Sequence, residues 1–167
     1  MIKEVTGDIL LSKAQLLAHG ISPQDPFDSG LALALRERWP SLVKDFRHHT
    51  RSKSIEPGEI WPWVGVQAEG GTRRIVNLVT QGTIGQGPAA KPGKASLEHV
   101  RHALQSLAKY VKQENIQSLA LPRLATGVGG LEWSDVRPLI EQYLGDLGIP
   151  VVVYATYRKG EQADEGL

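Results

Sequence analysis

Cysteine is absent from the 167-residue chain. The protein therefore forms no disulfide bond, holds no metal ion through thiolates and has no thiol nucleophile. Long apolar runs are absent as well, so no stretch reaches membrane-spanning length. The first residues, MIKEVTGD, also lack the apolar core of a signal peptide. From these absences we expect a cytoplasmic protein that does not associate with a membrane.

An excess of charge of one sign is missing too. The chain carries 19 Lys and Arg against 18 Asp and Glu, for a net charge of +1. Proteins that bind nucleic acid without specificity usually carry a basic excess, so this balance argues against a nucleic-acid partner, although it allows a local cationic pocket. The histidines form no complete ligand set, so we expect no metal ion, and no motif requires a cofactor.

The order of apolar and polar segments predicts the fold class. Short apolar runs alternate with segments of helical spacing, which predicts an α/β sandwich around a largely parallel or mixed sheet. We place a single domain at residues 1–157 and expect the polar C-terminal tail, residues 158–167, to be disordered. Ligands of such folds bind beyond the carboxyl ends of the strands, which points to the loops at 20–31, 80–94 and 122–132.

One stretch has the composition of an anion site: residues 119–133, LALPRLATGVGGLEW. It predicts a buried strand, a glycine-rich turn and a helix start, and glycines let backbone N–H groups approach a phosphate. A Rossmann fingerprint counted from Gly127 would require glycine where Glu132 stands, and no Walker A Gly-Lys-Ser/Thr follows. On glycine content alone, a turn that only connects two elements is an equal alternative.

Polar residues at the strand ends each have two interpretations. Asp8 follows a short strand and either caps a turn, which the residue alone favours, or accepts a hydrogen bond from an amine such as that of adenine. His19 is either a structural residue or part of a ligand site, and Tyr154 either packs in the core or stacks on a planar ligand. Residues 81–94 predict a flexible loop that either covers a pocket or is slack.

Several stretches match one known family at once and in the same order. They are Gly7-Asp8-Ile9-Leu10, Leu17-Ala18-His19, Ser29-Gly30-Leu31-Ala32, Val76-Asn77-Leu78-Val79 and Leu121-Pro122-Arg123-Leu124-Ala125-Thr126-Gly127. Together they resemble a macrodomain, the ADP-ribose-binding module, over almost the whole chain before the tail. The closing stretches, residues 129–133 and 151–154, are similar to the subclass that contains the macrodomain of a chromatin-remodelling helicase, the terminal ADP-ribose protein glycohydrolase and bacterial homologues.

The resemblance implies a three-layer α/β/α sandwich with a mixed central sheet and a pocket for ADP-ribose. Asp8 would accept from the adenine amine, which reverses the preference for a cap, and Tyr154 would lie against adenine. His19 and Gln81 would border the distal ribose as candidate catalytic residues. The residues implied in ligand binding, including both phosphate loops, are Asp8, Ile9, His19, Gly20, Ile21, Ser29, Gly30, Leu31, Thr80, Gln81, Pro122, Ala125, Thr126, Gly127, Val128, Gly129, Gly130, Leu131 and Tyr154.

The sequence departs from the glycohydrolase at the residues that carry its catalysis. Gln81 stands where that enzyme has a lysine, and Gly129 stands where it has a catalytic aspartate. Its lysine–aspartate route is therefore not available, and only a shift of Lys91 or Lys94 into the site would supply an amine. Asp28 replaces a usual glycine and either repels phosphate or caps the following helix.

Three functions are compatible with the resemblance. The favoured one is hydrolysis of ester-linked ADP-ribose from a modified protein, with water positioned by the substrate phosphate and by His19. The alternatives are a reader that binds ADP-ribose without chemistry and a phosphatase that acts on ADP-ribose 1''-phosphate. In each case the partner is ADP-ribose or an ADP-ribosylated protein, and we expect a monomer.

Overall fold

The computed structural model describes residues 2–85 and 90–167 and has a six-stranded sheet at its centre. The strands are β1 (Ile2–Gly7), β2 (Leu16–Ile21), β3 (Ile60–Val66), β4 (Thr72–Val79), β5 (Gln81–Ile84), β6 (Lys91–Ala95), β7 (Leu119–Pro122) and β8 (Val151–Tyr157). The helices are α1 (Gly30–Arg38), α2 (Pro40–Ser52), α3 (Leu97–Gln113) and α4 (Trp133–Leu144), and a short 3-10 turn (Ile9–Leu11) follows β1.

The central sheet is mixed, as the resemblance implies. Its strand order is β1-β8-β7-β2-β4-β3, and all neighbours are parallel except β3, which runs antiparallel to β4. The edge position of β3 explains why Pro62 is tolerated within it, because an edge strand has one side without ladder hydrogen bonds. No helix in the described part of the chain is both long and apolar enough to cross a membrane.

Helices cover both faces of this sheet. In β4, Ile75 and Val79 pack with residues of α1 and α2, whereas Val76 and Leu78 pack with residues of α3 and α4. Successive side chains of a strand point to opposite faces, so one continuous apolar strand contributes to two cores. The three-layer α/β/α architecture is therefore confirmed.

The expectation of a flexible loop over residues 81–94 is wrong for the residues that the structure describes. β5 and β6 pair antiparallel as a hairpin beside the main sheet. A Cβ on Gly93 would lie 3.1 Å from the backbone of Gly82, so glycine lets the two strands approach closely. The glycine- and proline-rich composition concealed this pairing because it shows no alternation of apolar side chains. Residues 86–89 lie outside the described residues.

The expected disorder of the polar tail is also wrong, because the tail is anchored through Glu165. This residue is only 7% exposed, and its carboxylate accepts hydrogen bonds from the Ser12 hydroxyl at 2.5 Å and the Tyr154 hydroxyl at 2.8 Å. The backbone N–H of Lys13 donates to the same carboxylate at 2.8 Å. The tail is held by hydrogen bonds and not by a run of buried apolar residues, so its polar composition gave no sign that it is ordered. The boundary drawn after residue 157 stays a prediction.

Replacing Glu165 by alanine should destabilise the protein. The Tyr154 and Ser12 hydroxyls would lose their acceptor, and each unsatisfied buried polar group costs about 1–3 kcal/mol. Chemical denaturation should report a loss of at least this size for Glu165→Ala and no loss for Asp164→Ala, whose side chain is exposed. An unchanged free energy of unfolding in Glu165→Ala would show that the tail is not part of the folded unit.

Candidate functional site

Two adjoining cavities lie at the carboxyl ends of β2 and β7. One is lined mainly by apolar side chains and has a volume of about 330 Å³, and the other has more polar walls and a volume of about 280 Å³. Gly30, Leu31 and Pro122 line both, so the two cavities form one cleft. Of the residues implied in ligand binding, this cleft brings together Ile9, His19, Gly20, Ser29, Gly30, Leu31, Gln81, Pro122, Ala125, Gly127, Val128, Gly129 and Tyr154.

The apolar cavity combines aliphatic and aromatic walls. Ile9 and Leu31 contribute aliphatic surface, and Tyr154 and Tyr157 contribute rings from the last strand. Such a cavity suits a planar aromatic group, which gains both burial and ring contacts. Tyr157 was not anticipated from the sequence, because its position near the end of β8 does not distinguish it from the polar tail that follows.

The Tyr154 ring is held in place by its hydroxyl. The side chain is 4% exposed, and its hydroxyl donates to the Glu165 carboxylate at 2.8 Å. Burial raises the pKa of Tyr154, and the neighbouring carboxylate raises it further. The phenol therefore remains a neutral donor, and the anchored tail fixes one wall of the apolar cavity.

Two sets of backbone donors belong to residues that line the polar cavity. The first belongs to the start of α1, where Ser29 is the N-cap but its side chain makes no capping hydrogen bond. The second belongs to the glycine-rich turn, where the N–H groups of Gly127, Val128 and Gly129 have no partner among the described residues. Free N–H groups at a helix start and in a glycine turn are donors for an anion, so the arrangement suits a phosphate or diphosphate.

The glycine-rich turn has little freedom at Gly129. A Cβ there would lie 2.6 Å from the Ala125 carbonyl oxygen, which no side chain could avoid. The carbonyl of Gly129 also accepts a hydrogen bond from the Ala95 N–H of β6 at 3.0 Å. Ala125 itself has a φ of +61°, a left-handed conformation that costs a residue with a side chain about 1–3 kcal/mol. Packing fixes this turn, and no carboxylate can replace Gly129 without rebuilding it.

Charged side chains of both signs line the polar cavity. Arg123 lies there with its guanidinium 5.3 Å from the centre of the Trp133 ring. Asp25 and Asp28 lie on the same cavity. The Asp25 carboxylate accepts from the Phe27 N–H at 2.9 Å, so it serves the loop, whereas Asp28 is exposed and is not assigned as a helix cap. The sequence did not indicate Arg123 or Asp25 as site residues, although Arg123 lies in the macrodomain-like stretch 121–127.

His19 is buried at the end of β2 and fixed by one hydrogen bond. Its Nε2 lies 2.6 Å from the Oδ1 atom of Asn77, whose amide group donates to the Trp61 carbonyl at 3.1 Å. Because the Asn77 oxygen faces the ring, Nε2 carries the proton and Nδ1 is left as an acceptor. Burial lowers the pKa of His19, and the hydrogen bond to Asn77 and the charge of Asp25 offset this only in part.

Gln81 connects the hairpin to the cleft. Its side-chain amide donates to the Gly93 carbonyl at 2.7 Å, which holds β5 to β6. Its carbonyl oxygen has no partner among the described residues, so an acceptor is available at the cavity wall. The side chains of Lys91 and Lys94, the two nearby amines, are exposed on β6.

Some residues implied in binding lie outside the cleft walls: Asp8, Ile21, Thr80, Thr126, Gly130 and Leu131. The Asp8 carboxylate accepts from the backbone N–H groups of Leu10 at 3.0 Å and Gly160 at 2.9 Å, so it caps the 3-10 turn and ties the tail to it. Ile21 and Thr80 are fully buried, and the Thr80 hydroxyl lies behind Gly20. Their role in binding stays a prediction.

Comparison with known proteins decides the family. A profile of the Macro domain matches residues 26–140, more than half of the chain. The chain belongs to the macro domain family. This macrodomain is 29% identical over 163 residues to a DNA ADP-ribosyl transferase-DNA ADP-ribosyl glycohydrolase fusion protein of Thermosipho africanus, covering 93% of this chain and 42% of that protein. It is 24% identical over 154 residues to human ADP-ribose glycohydrolase OARD1, covering 92% and 90% of the two chains.

A solved structure has the same fold. The macrodomain of Thermus aquaticus DarG superposes with a TM-score of 0.78 at 25% identity, covering 93% of this chain and 98% of that one. The macrodomain spans less than half the length of the DNA ADP-ribosyl glycohydrolases that it matches, between 41% and 45%. The activities of those longer proteins are therefore a matter for proposal.

A negative charge at Gly127 should weaken anion binding without disturbing the turn. A Cβ at Gly127 meets no atom within 4 Å, and the residue lines the polar cavity. Gly127→Glu places a carboxylate beside the free N–H groups and should weaken ADP-ribose binding at least tenfold, about 1.4 kcal/mol, in calorimetry. Gly127→Ala is the matched control and should bind nearly as the wild type does. Equal affinities for the Glu and Ala variants would place the phosphates elsewhere.

His19 should make the protein less stable in mild acid. Its folded pKa is lowered, so the unfolded chain takes up this proton first as the pH falls below about 6.5. The neutral His19 therefore contributes its full share to the free energy of unfolding above that pH. Below it, this share is lost by at most about 1.4 kcal/mol per pH unit. Urea denaturation at a series of pH values gives the free energy of unfolding as a function of pH. Below about pH 6.5 this free energy should fall less steeply with decreasing pH in His19→Gln than in the wild type. The control is His48→Gln, on the exposed side of α2, which should show the same dependence of the unfolding free energy on pH as the wild type. The same dependence in His19→Gln would refute a neutral, buried His19.

Proposed function

We propose that this macrodomain binds ADP-ribose across the cleft. Adenine occupies the apolar cavity beside Tyr154, and the diphosphate lies in the polar cavity. The distal ribose then reaches the end of the cavity bordered by His19 and Gln81. One observation carries this proposal. Two sets of free backbone N–H donors, at the start of α1 and at residues 127–129, line one polar cavity, and a cavity with aromatic walls adjoins it.

The proposed activity is hydrolysis of the bond between ADP-ribose and a modified macromolecule. Water attacks C1'' of the distal ribose as the bond from C1'' to the modified group breaks, and the electron pair leaves with that group. The unprotonated Nδ1 of His19 accepts the proton of the water, and the Gln81 carbonyl oxygen orients it. Holding a diphosphate by fixed donors orients the reacting ribose, and orientation alone lowers a barrier by up to about 7–11 kcal/mol.

A covalent route through lysine has no support in the geometry. Gln81 has no amine, Lys91 and Lys94 are exposed, and Gly129 has no space for a carboxylate. The same observations favour the second candidate, a reader that binds ADP-ribose without chemistry. The hydrolase is supported by the relatives, which are glycohydrolases. Two of these relatives act on ADP-ribosylated DNA by name, whereas the name of human OARD1 specifies no macromolecule, so ADP-ribose linked to DNA and ADP-ribose linked to protein are both to be tested.

The deciding experiment measures ADP-ribose release by mass spectrometry with the enzyme at a small fraction of the substrate concentration. The substrates are a glutamate-modified protein, an ADP-ribosylated DNA oligonucleotide and ADP-ribose 1''-phosphate. We expect many turnovers on at least one of the first two, and loss of turnover in Gly127→Glu but not in Gly127→Ala. Binding of ADP-ribose without release from any substrate would leave the reader, and turnover only on the third substrate would mark a phosphatase.

A further inference from the structure

Two buried acceptors lie unpaired at the end of the polar cavity where the distal ribose is proposed to lie. His19 is 3% exposed, and its Nδ1 atom has no hydrogen-bond partner in the described part of the chain. Gln81 is 7% exposed, and its amide group donates to the Gly93 carbonyl while its carbonyl oxygen bonds to no described residue. Both residues line the cavity. Buried polar atoms are normally hydrogen-bonded, so these acceptors indicate a ligand that donates N–H or O–H groups.

Asp25 adds negative charge to the same end of the cavity. It lines the cavity, and its charge acts on the His19 ring, where it opposes the lowering of the pKa by burial. Its carboxylate accepts from the Phe27 N–H at 2.9 Å and from the N–H and hydroxyl of Ser22 at 3.0 and 3.3 Å. These bonds use three of about four lone-pair sites. The carboxylate can therefore accept a further donor from a ligand.

Asp28 extends this charge to the rim of the cavity. It lies on the loop from β2 to α1, as Asp25 does, and lines the same cavity. Its side chain is exposed and forms no ion pair with any residue that the structure describes. Arg123, a cation on this cavity, belongs to the loop from β7 to α4 and stacks on Trp133, the first residue of α4. A group attached to the distal ribose therefore meets carboxylates on the side of His19.

These side chains offer no proton to a leaving group. Burial lowers the pKa of His19, so Nδ1 is unprotonated at neutral pH. Asp25 accepts hydrogen bonds through both of its oxygens, as an ionised carboxylate does. An alkoxide, such as that of a serine linkage, needs an acid in order to leave, whereas a carboxylate and the neutral guanidine formed from a guanidinium do not. The site therefore suits the last two leaving groups.

The acceptors distinguish between these two leaving groups. A carboxylate has no N–H to donate, and its negative charge would develop beside Asp25, where like charges repel. A guanidinium is positively charged and presents several N–H donors in one plane, most of which remain when one nitrogen carries the ribose. We infer that the cleft takes ADP-ribose joined through C1'' to a guanidinium nitrogen of an arginine side chain in a peptide or protein.

This inference rests on the proposed function, because it assigns the group attached to C1''. The Asp25 carboxylate and the Gln81 carbonyl oxygen accept the remaining guanidinium N–H groups. A carbonyl oxygen has more than one lone pair, so Gln81 also orients the attacking water. Asp28 at the rim attracts the charge of the arginine. The assignment changes the linkage that the resemblance favours, which is an ester.

The reaction balances without a further reactant. Water attacks C1'' as the bond from C1'' to nitrogen breaks, and the electron pair of that bond stays with the nitrogen. The guanidinium of the substrate is already protonated, so the departing group is a neutral guanidine. The proton of the water passes to Nδ1 of His19 and from there to the guanidine, which becomes a guanidinium again. The products are free ADP-ribose and unmodified arginine.

The test compares two peptides of one uncharged sequence that carry ADP-ribose on a single arginine or on a single glutamate. Release of ADP-ribose is followed by mass spectrometry with the wild type. We expect kcat/KM to be about tenfold higher for the arginine peptide, the size of one charge-assisted hydrogen bond. If neither peptide is turned over, calorimetry with the same two peptides should show tighter binding of the arginine peptide by the same factor.

Variants of the two carboxylates separate charge from shape. Asp25→Asn keeps an acceptor for the loop and should lower kcat/KM about tenfold for the arginine peptide, but not for the glutamate peptide. Asp28→Asn should lower it about threefold, because solvent screens an exposed charge pair. Asp146→Asn is the matched control, because this exposed residue follows α4 at the opposite edge of the sheet, and it should match the wild type. Calorimetry with free ADP-ribose should show undiminished affinity in every variant, which reports that each is folded.

Equal values of kcat/KM for the two peptides in the wild type, or a preference for the glutamate peptide, would overturn the inference. Losses of equal size on both peptides in Asp25→Asn and Asp28→Asn would also overturn it, because they would report the shape of the loop rather than its charge. A wild type that binds free ADP-ribose but neither binds nor cleaves the arginine peptide would leave the proposed function intact. A wild type that binds no free ADP-ribose would contradict the proposed function separately.

Discussion

The parallel pairing of β2 with β7 is the constraint on which the site depends. Leu16 pairs with Leu119 and Leu17 with Ala120, so the two strands end at the same edge of the sheet. The loop from β2 to α1 and the loop from β7 to α4 therefore meet there, as expected beyond the carboxyl ends of parallel strands. Both loops offer backbone N–H groups, which need no charged side chain to attract an anion. An anion site built in this way is compatible with a nearly neutral chain.

Polar side chains that are buried or half-buried then fix the walls of the cleft. Asp25 accepts from the N–H of Phe27, a residue whose φ of +54° is unusual for a bulky side chain. The Phe27 ring packs against His19 and Phe46, with centroid distances of 6.0 and 5.5 Å, and these contacts hold the strained backbone. Gln81 fixes the hairpin and Glu165 fixes the tail by the same means. Each wall thus depends on a hydrogen bond between two residues that no periodic pattern in the sequence connects.

This difference explains how much the sequence could predict. Strand β4 and the α/β class were predictable because apolar periodicity is a local signal. The three layers and the role of the glycine-rich turn followed only from the resemblance, because glycine content alone left a connecting turn equally possible. The hairpin and the ordered tail were not predictable. The hairpin is held by the hydrogen bond between Gln81 and Gly93, and the tail by the one between Gly160 and Asp8, and no periodicity in the sequence indicates either pair. Arg123 was missed for a related reason, because its stacking on Trp133 joins two residues that no periodicity connects.

The proposed reaction has to proceed without the lysine and the aspartate of the related glycohydrolase, because Gln81 and Gly129 stand at their positions. A side chain at Gly129 would collide with the Ala125 carbonyl, so a single substitution to aspartate would disrupt the turn before it restored an acid. At Gln81 a lysine would remove the amide that donates to the Gly93 carbonyl, which is a side-chain link between β5 and β6. The two positions are therefore coupled to the shape of the cleft as well as to chemistry. In the proposed reaction, fixed backbone donors position the ribose and neutral acceptors orient the water, so the reaction proceeds without a covalent intermediate.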